Sequence, residues 1–331
     1  MTVPGRPGVA MGTTMRIAAA ALALACITGA ALPDAALAQQ GTGAASQQGG
    51  TAQKKPAEPA VPAPAVTRFA DVAVSVRGVT DYNFRGVSQT NLSPGVQGAF
   101  ELTLFEGLVY GGLAGYSVDL PTRPLAELDL TVGIRPKFGP LTFDFGLLRF
   151  EYPGERRLID PVNGLFFTPA NTDYNEIVAK VTLAATDQIT LGFNSFNGFN
   201  YLGTGTDNTY LSGTFKYVVP NTVVAADFGT FAVSGEFGYQ TFHGVTTAGL
   251  GSIALPEYFY GNIGVAYTYK NTTIDVRYHD TDLTRTDCFV LTSDPKGIRA
   301  VTGGGRGTSN WCGAAFIATL SVDFTAASLF Q

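Results

Sequence analysis

The sequence has little charge: 14% of its residues are charged, whereas about 25% is usual for a soluble domain. It contains one tryptophan, two histidines and three cysteines. It has no block of consecutive basic residues and a formal net charge of -5, so nucleic acid is not expected as a partner. With 45% hydrophobic residues, this composition argues against an ordinary cytosolic enzyme and against an extended disordered protein.

No aromatic residue precedes Phe69, so the chain divides into two regions of different composition. The uncharged run Ile17–Pro33 follows Arg16 and precedes the small residues of Ala36–Ala38, a pattern typical of a cleavable export signal. We predict a signal peptide over residues 1–38, starting at Met1 or Met15, because the run is shorter than the ~20 residues of a membrane-spanning helix. Residues 39–68 are rich in Ala, Gln, Gly and Pro and are predicted to be a disordered periplasmic linker.

From Phe69 onward, apolar and polar residues alternate with a period of two, as in the segment 127–134 (ELDLTVGI). This period is typical of β-strands with two different faces. It predicts about twelve strands, at 71–84, 96–105, 108–118, 125–135, 141–151, 174–183, 189–196, 209–219, 230–241, 258–269, 273–281 and 312–324. Their connections are mostly short and long in turn, which is the layout of an outer-membrane barrel. Residues 69–331 are therefore predicted to form an all-β transmembrane antiparallel barrel.

A secreted β-sandwich would alternate in the same way, because one face of each of its sheets is buried and the other is wet. The strand lengths favour the barrel, since ~9 to 11 residues cross a bilayer. Aromatic residues near the predicted strand ends also favour it, because such residues form interfacial girdles. The residues expected in these girdles are Tyr82, Phe84, Phe105, Phe150, Tyr152, Tyr258, Tyr260 and Tyr269.

Several motifs resemble the TorF family of porin-like proteobacterial outer-membrane proteins. The most specific is GVTDYNFRGVSQT at residues 78–90, followed by PGVQG at 94–98. Shorter matches are DFG at 144–146, YPG at 152–154, YNE at 174–176, YHDTD at 278–282 and a late pair of cysteines. The resemblance implies a barrel in the outer membrane of a Gram-negative bacterium.

We predict from this barrel a porin-like channel for passive diffusion of small hydrophilic solutes or ions. The expected partners are those solutes, outer-membrane lipid and the barrel assembly machinery. The alternative is a barrel that acts through its surface loops as a receptor or adhesin. The protein is not expected to be an enzyme, and no catalytic residue, metal or cofactor is expected.

Charged residues on the polar strand faces are expected to line the lumen. They are Arg77, Glu101, Glu127, Asp129, Arg135, Asp144, Glu176, Lys180, Lys216, Asp275 and Arg277. Inward charges of both signs either line a water-filled path or pair across a plugged interior, and the pattern alone does not distinguish the two.

The long loop at residues 152–173 is expected to fold against the barrel mouth as a constriction. Its constricting residues would be Arg156, Arg157, Phe166 and Phe167. The two arginines would face acidic lumen residues such as Glu127, Asp129 and Glu176. The acidic excess predicts a channel with weak cation selectivity.

Cys288 and Cys312 are the two cysteines that remain after the predicted signal. An even pair in an exported chain predicts a disulfide, whereas two cysteines alone make a poor metal site. The two histidines, His243 and His279, are expected to be solvated surface residues, because the chain contains no nucleophile elbow for a serine to act with them.

Overall fold

A computed structural model describes residues 69–158, 168–246 and 252–326. The strands are β1 (Ala70–Val79), β2 (Asn83–Phe84), β3 (Val87–Ser88), β4 (Gly95–Leu104), β5 (Val109–Tyr116), β6 (Glu127–Ile134), β7 (Lys137–Phe138), β8 (Leu141–Glu151), β9 (Tyr174–Ala184), β10 (Ile189–Phe199), β11 (Asp207–Val218), β12 (Thr230–His243), β13 (Tyr258–Tyr269), β14 (Thr272–Thr281) and β15 (Ala315–Thr325). The α-helices are α1 (Arg285–Thr292) and α2 (Pro295–Thr302). The predicted signal peptide and linker lie outside the described residues.

The long strands form one closed antiparallel barrel. Strand β1 pairs with β4 on one side and with β15 on the other, and β6 pairs with β8 across the short extension β7. All other long strands pair with their neighbours in sequence. Leaving out the three two-residue strands, twelve strands close the ring, which confirms the predicted barrel. Closure leaves no unpaired edge, so the wall satisfies its own backbone hydrogen bonds.

Side chains alternate between the two faces of the wall. On β8, Leu147 points outward and is 58% exposed, whereas its neighbour Leu148 points inward and is buried. On β6, Val132 lies outside, while Glu127 and Asp129 are buried inside. The outer face is therefore apolar and the charged residues of the wall lie on the inner face, which is the arrangement of a barrel in lipid.

The two ends of the barrel differ in their connections. One end, the loop end, carries the long connections, at 80–94, 117–126, 152–173, 200–206, 244–257 and 282–314. The other, the turn end, carries short connections at 105–108, 135–140, 185–188 and 270–271, together with one longer connection at 219–229. Ala70 and Thr325, where the first and last strands begin and end, both lie at the turn end.

The predicted and observed strand ends differ by five residues at the first strand and by three at the last. The first strand ends at Val79 rather than residue 84, because the chain then leaves the sheet and turns into the barrel. The last begins at Ala315 rather than residue 312, because Cys312 is tied to α1. Neither α1 nor α2, nor any other helix among the described residues, is long and apolar enough to cross a membrane.

The girdle prediction is wrong for most of the aromatic residues it named. Phe105 and Tyr269, at the turn end, are exposed as expected. At the loop end, however, the aromatic side chains are buried inside the barrel: Tyr82, Phe150, Tyr152, Tyr258 and Tyr260, with Phe84 packed against them. The loop-end half of the interior is thus an aromatic core, and the turn-end half is polar.

Candidate functional site

The segment Thr80–Pro94, here called the inward segment, leaves the sheet after β1 and folds into the barrel. Strands β2 and β3 pair within it and are joined at Arg85 and Gly86, whose φ angles are 47° and 88°. A Cβ atom on Gly86 would lie 2.2 Å from Cγ2 of Thr281 on β14. Glycine is therefore required at this turn for its positive φ and for its close approach to the wall.

Asp81 holds the two halves of the inward segment together. Its Oδ1 accepts hydrogen bonds from the hydroxyls of Ser88 at 2.6 Å and Thr90 at 2.7 Å. The Thr90 hydroxyl in turn accepts one from the backbone N–H of Tyr82. Burial raises the pKa of the Asp81 carboxyl, and the two hydroxyl donors oppose that rise. The segment is thus fixed by its own side chains as well as by the wall.

Arg85 joins the inward segment to the opposite wall. Its guanidinium donates to both oxygens of Glu176 on β9, at 2.8 and 2.7 Å. Gln240 on β12 accepts a third hydrogen bond from it at 3.3 Å, and Asn208 on β11 donates to Glu176 at 3.2 Å. Arg85 is 6% exposed and Glu176 is 0% exposed. A bidentate pair buried this deeply fixes position more than it adds net stability.

Aromatic rings surround the Arg85 guanidinium. Its carbon lies 4.6 Å from the Phe84 ring centre, 4.8 Å from that of Phe196 and 4.6 Å from that of Tyr210. Such contacts favour a cation over the faces of the rings. Burial works to lower the pKa of Arg85, but the Glu176 carboxylate outweighs it, so the pKa is raised and the group stays charged.

Two tyrosine hydroxyls hold Glu127 at the loop end of β6. Tyr82 of the inward segment donates to one carboxylate oxygen, and Tyr152 donates to the other at 2.9 Å. The Tyr82 ring also stacks on Tyr116 of β5, with 4.8 Å between ring centres. Burial raises the pKa of the Tyr82 and Tyr152 hydroxyls well above the ordinary value, so both remain donors at neutral pH.

A second charge network lies near the turn end. Arg135 donates to both oxygens of Glu101 at 2.8 and 2.9 Å and to Asp144 at 3.0 Å. Tyr110 donates to Asp144 at 2.6 Å, and its ring lies 3.8 Å from the Arg135 guanidinium carbon. These four residues come from β4, β5, β8 and the end of β6, so the network ties neighbouring strands across the inner face of the wall.

A third network centres on Arg277 of β14. It donates to Asp275 at 2.9 Å, to the Asn262 side chain at 2.6 Å and to the Ser234 hydroxyl at 2.8 Å. The partners lie on β12, β13 and β14. The lumen therefore contains charges of both signs, and a large part of them is paired directly through hydrogen bonds.

The connection 282–314, here called the lid, packs against the inward segment at the loop end. It contains α1 and α2 and is closed by a disulfide between Cys288 and Cys312, which confirms the predicted pair. Trp311 accepts a backbone hydrogen bond from Ser88 at 2.8 Å, and its indole N–H donates to Asn91 at 3.0 Å. The disulfide thus holds a structure that itself contacts the inward segment.

The strand register places the charged residues named from the sequence on the inner face. Buried among them are Glu101, Glu127, Asp129, Arg135, Asp144, Glu176 and Arg277. Half-buried are Arg77, Lys180, Lys216 and Asp275. His279, expected at the surface, is buried on β14 and is hydrogen-bonded to Tyr260 at 2.8 Å, because an odd-numbered position on this strand faces inward.

The expected arrangement of the loop 152–173 differs from the observed one. Arg156 and Arg157 are exposed rather than facing the acidic lumen residues, and Phe166 and Phe167 lie outside the described residues. Glu176 instead forms an ion pair with Arg85. The reason is that Arg85 of the inward segment already fills the space beside Glu176.

Sequence reasoning missed the structural role of Arg85 and Gly86. A signal was available in the motif at 78–90, where an arginine and a glycine interrupt an aromatic alternating run. The alternating pattern predicted that Tyr82 and Phe84 continue the first strand. In the structure the chain reverses its direction at Arg85 and Gly86. Among the described ranges, no three His, Cys, Asp or Glu side chains are grouped in a way that could hold a metal ion.

Several solved structures are similar to this chain. The KdgM porin is 8% identical, with a TM-score of 0.43, and the match covers 76% of this chain and 98% of KdgM. OmpT, an outer membrane protein of Vibrio cholerae, is 10% identical, with a TM-score of 0.34 and coverage of 77% and 98%. OccK3 of Pseudomonas aeruginosa is 10% identical, with a TM-score of 0.34 and coverage of 76% and 65%. These TM-scores are too low to support an argument about this chain. The barrel is established by its own strand pairing.

A search of curated proteins found no match. The family model Gcw_chp, described as a bacterial protein of unknown function, matches residues 60–298. This range includes the inward segment and eleven of the twelve barrel strands. The chain therefore belongs to the Gcw_chp family.

Proposed function

We propose that the protein is a porin-like channel of the bacterial outer membrane that passes small hydrophilic solutes or ions by passive diffusion, and that it is not an enzyme. The observation that carries this proposal is the closed wall of twelve strands, apolar outside and charged inside. Residues such as Val76, Leu147 and Ile263 expose more than half of their surface on the outer face. A continuous apolar belt of this kind needs lipid to cover it.

The arrangement of the barrel ends supports an orientation. Outer-membrane barrels have short periplasmic turns and longer external loops, so we place the turn end, with both ends of the barrel chain, in the periplasm. The lid and the inward segment would then face the exterior. The predicted signal over 1–38, the periplasmic linker over 39–68 and delivery by the barrel assembly machinery belong to the same proposal, as does the TorF resemblance.

The solute path runs beside the inward segment. Arg85 crosses the interior to Glu176 at 2.7 Å, so this segment, rather than the loop 152–173, forms the constriction in our proposal. Toward the turn end the inner face is polar and charged, which suits hydrated solutes. Acidic residues outnumber basic ones on that face, so weak cation selectivity remains the expected preference.

Planar-bilayer recording of the refolded full-length protein tests the channel. We expect discrete conductance steps in potassium chloride, with a reversal potential in a salt gradient that indicates a modest preference for potassium. Detergent without protein and boiled protein serve as controls. A correctly folded barrel that inserts but never conducts would overturn the channel and favour the alternative of a receptor or adhesin that acts through the lid and the other long loops.

A further inference from the structure

A pocket opens in the inner wall beside the inward segment, on β1, β4, β5 and β6. Its polar lining consists of Ser75, Arg77, Gln97, Tyr116, Asp129 and Thr131. Between Ser75 and Asp129 the wall carries small residues, Ala99 and Ala114, which leave space above the sheet. The pocket is distinct from the three charge networks described above, because none of their residues lines it.

Asp129 is an unusual carboxylate for this interior. It is 4% exposed, and its buried Oδ1 has no hydrogen-bond partner among the described residues. A buried carboxylate without a partner is costly, since it loses its water and gains nothing in return. Its neighbour on the same strand face, Glu127, receives two tyrosine hydroxyls. The wall therefore satisfies one carboxylate and leaves the next one open toward the pocket.

Arg77 is the positive counterpart on the other side of the pocket. Its Nε donates to the Ser75 hydroxyl at 3.2 Å, and no carboxylate of the described chain forms a salt bridge with it. Arg85, Arg135 and Arg277, by contrast, each bind a carboxylate directly. Arg77 is thus the lumen arginine whose guanidinium is left available for an acceptor that the wall does not supply.

The strand register gives the separation of the backbones that carry the two charges. Arg77 pairs with Gln97 and Gln97 with Tyr116, while Asp129 pairs with Ala114 and Ala114 with Ala99. Asp129 is therefore three strands away from β1 and lies in the row of Ser75, two residues from the row of Arg77, which gives about 16 Å between the two backbones. The long arginine side chain shortens this gap, and the two alanines keep it empty. A small solute that contacts both charges would have to span the distance that remains.

We propose that this pocket binds small zwitterionic solutes, with the ammonium group at Asp129 and the carboxylate group at Arg77. The proposal deepens the proposed channel function by naming a class of solute for its lumen. A simple cation or anion would satisfy one charge and leave the other unpaired, and a neutral polyol would satisfy neither fully. Tyr82, stacked on Tyr116, closes the pocket toward the loop end, so a bound solute would sit directly below the constriction.

Calorimetric titration of the refolded full-length protein in detergent micelles tests the pocket. The probes are unbranched ω-amino acids from glycine to 6-aminohexanoic acid, compared with the amine, the carboxylic acid and the diol of matching length. We expect one or two chain lengths to bind and the singly charged and neutral probes to bind at least about tenfold more weakly.

The variants Asp129→Asn and Arg77→Gln should each weaken the best probe by about tenfold or more, whereas Lys216→Gln, a change on the opposite wall, should retain binding. Two variants on separate strands keep the test valid if one of them fails to fold. Absence of binding by every probe, or wild-type binding in both pocket variants, would leave only a solvated pocket and overturn the proposal. Conductance recorded on the same preparation separates the two proposals: a conducting protein without binding loses only the pocket, and a binding protein without conductance loses only the channel.

Discussion

At the scale of single residues, Arg85 connects more of the interior than any other side chain described above. It binds Glu176 and Gln240 from two distant strands and lies against rings from the inward segment and from β10 and β11. Removing one partner of such a buried pair leaves an uncompensated charge, which is far more costly than replacing both partners. The interior is therefore sensitive to this one position.

The variant Arg85→Ala should lower the free energy of unfolding by about 3 to 5 kcal/mol and raise single-channel conductance, because the inward segment loses its tie to the opposite wall. Urea unfolding in micelles and planar-bilayer recording measure the two effects. Arg156→Ala is the matched control: its side chain is exposed, so stability should change by less than about 0.5 kcal/mol and conductance should not change. Equal conductance in both variants would contradict the assignment of the constriction.

The variant Gly86→Ala should destabilise the protein by about 1 to 3 kcal/mol. The φ angle of Gly86 is 88°, which disfavours any residue with a side chain. The new Cβ atom would also lie 2.2 Å from Cγ2 of Thr281. Gly98→Ala on β4 is the control, because nothing lies within 4 Å of a Cβ atom built there. Thermal unfolding followed by circular dichroism distinguishes the two, and similar melting temperatures for both variants would argue against a tight turn.

At the scale of elements, the lid and the inward segment form one unit joined by Trp311. The Cys288–Cys312 bridge closes the lid, and Trp311 contacts both Ser88 and Asn91. The wall strands do not depend on this bridge for their pairing. Loss of the disulfide should therefore affect the lid first and the barrel last.

Reduction of the disulfide should make the lid sensitive to trypsin at Arg285, Lys296, Arg299 and Arg306 while the barrel resists. The loop-entropy argument assigns the bridge about 3 kcal/mol. Thiol labelling of denatured, unreduced protein should find no free thiol at Cys288 or Cys312, and limited proteolysis with and without reductant should reveal the lid cleavage. Labelling of both cysteines, or equal cleavage in the two conditions, would refute this account.

The wall of the barrel was predictable from the sequence because alternation is a local property. In β6 and β8, each residue's face follows from that of its neighbour, and the observed strands begin and end within a few residues of the predicted ones. The disulfide was predictable because only two cysteines follow the predicted signal. Neither inference required knowledge of which parts of the chain meet in space.

The inward segment was not predictable by the same reasoning. Residues 80–84 continue the alternation of β1, yet their environment is decided by Glu176, far along the chain. The same limit explains the aromatic residues of the loop end, which were assigned to a membrane girdle and instead fill the interior. A strand end near a membrane surface and a strand end around an inserted segment have similar sequences.

At the scale of the whole molecule, a closed wall with an apolar exterior should behave as a membrane barrel in solution. The refolded protein should require detergent and should migrate faster in a detergent gel when unheated than when boiled, because closed hydrogen bonding keeps it compact. Circular dichroism should report a β-rich fold before boiling. A monomer that stays soluble in buffer without detergent would contradict the membrane barrel.

The position of the inward segment in the chain has a consequence for assembly order. It follows directly after the first strand, yet its contacts lie 91 residues ahead at Glu176, 155 at Gln240 and, from Asn91, 220 at Trp311. Contacts at such separations form slowly, because the entropic cost of closing a long loop comes before the stabilisation that the contact provides. Arg85 therefore stays without its partners during folding until β9, and then β12, has joined the sheet. The strand that completes the ring then encloses the inward segment, which follows the first strand in the chain.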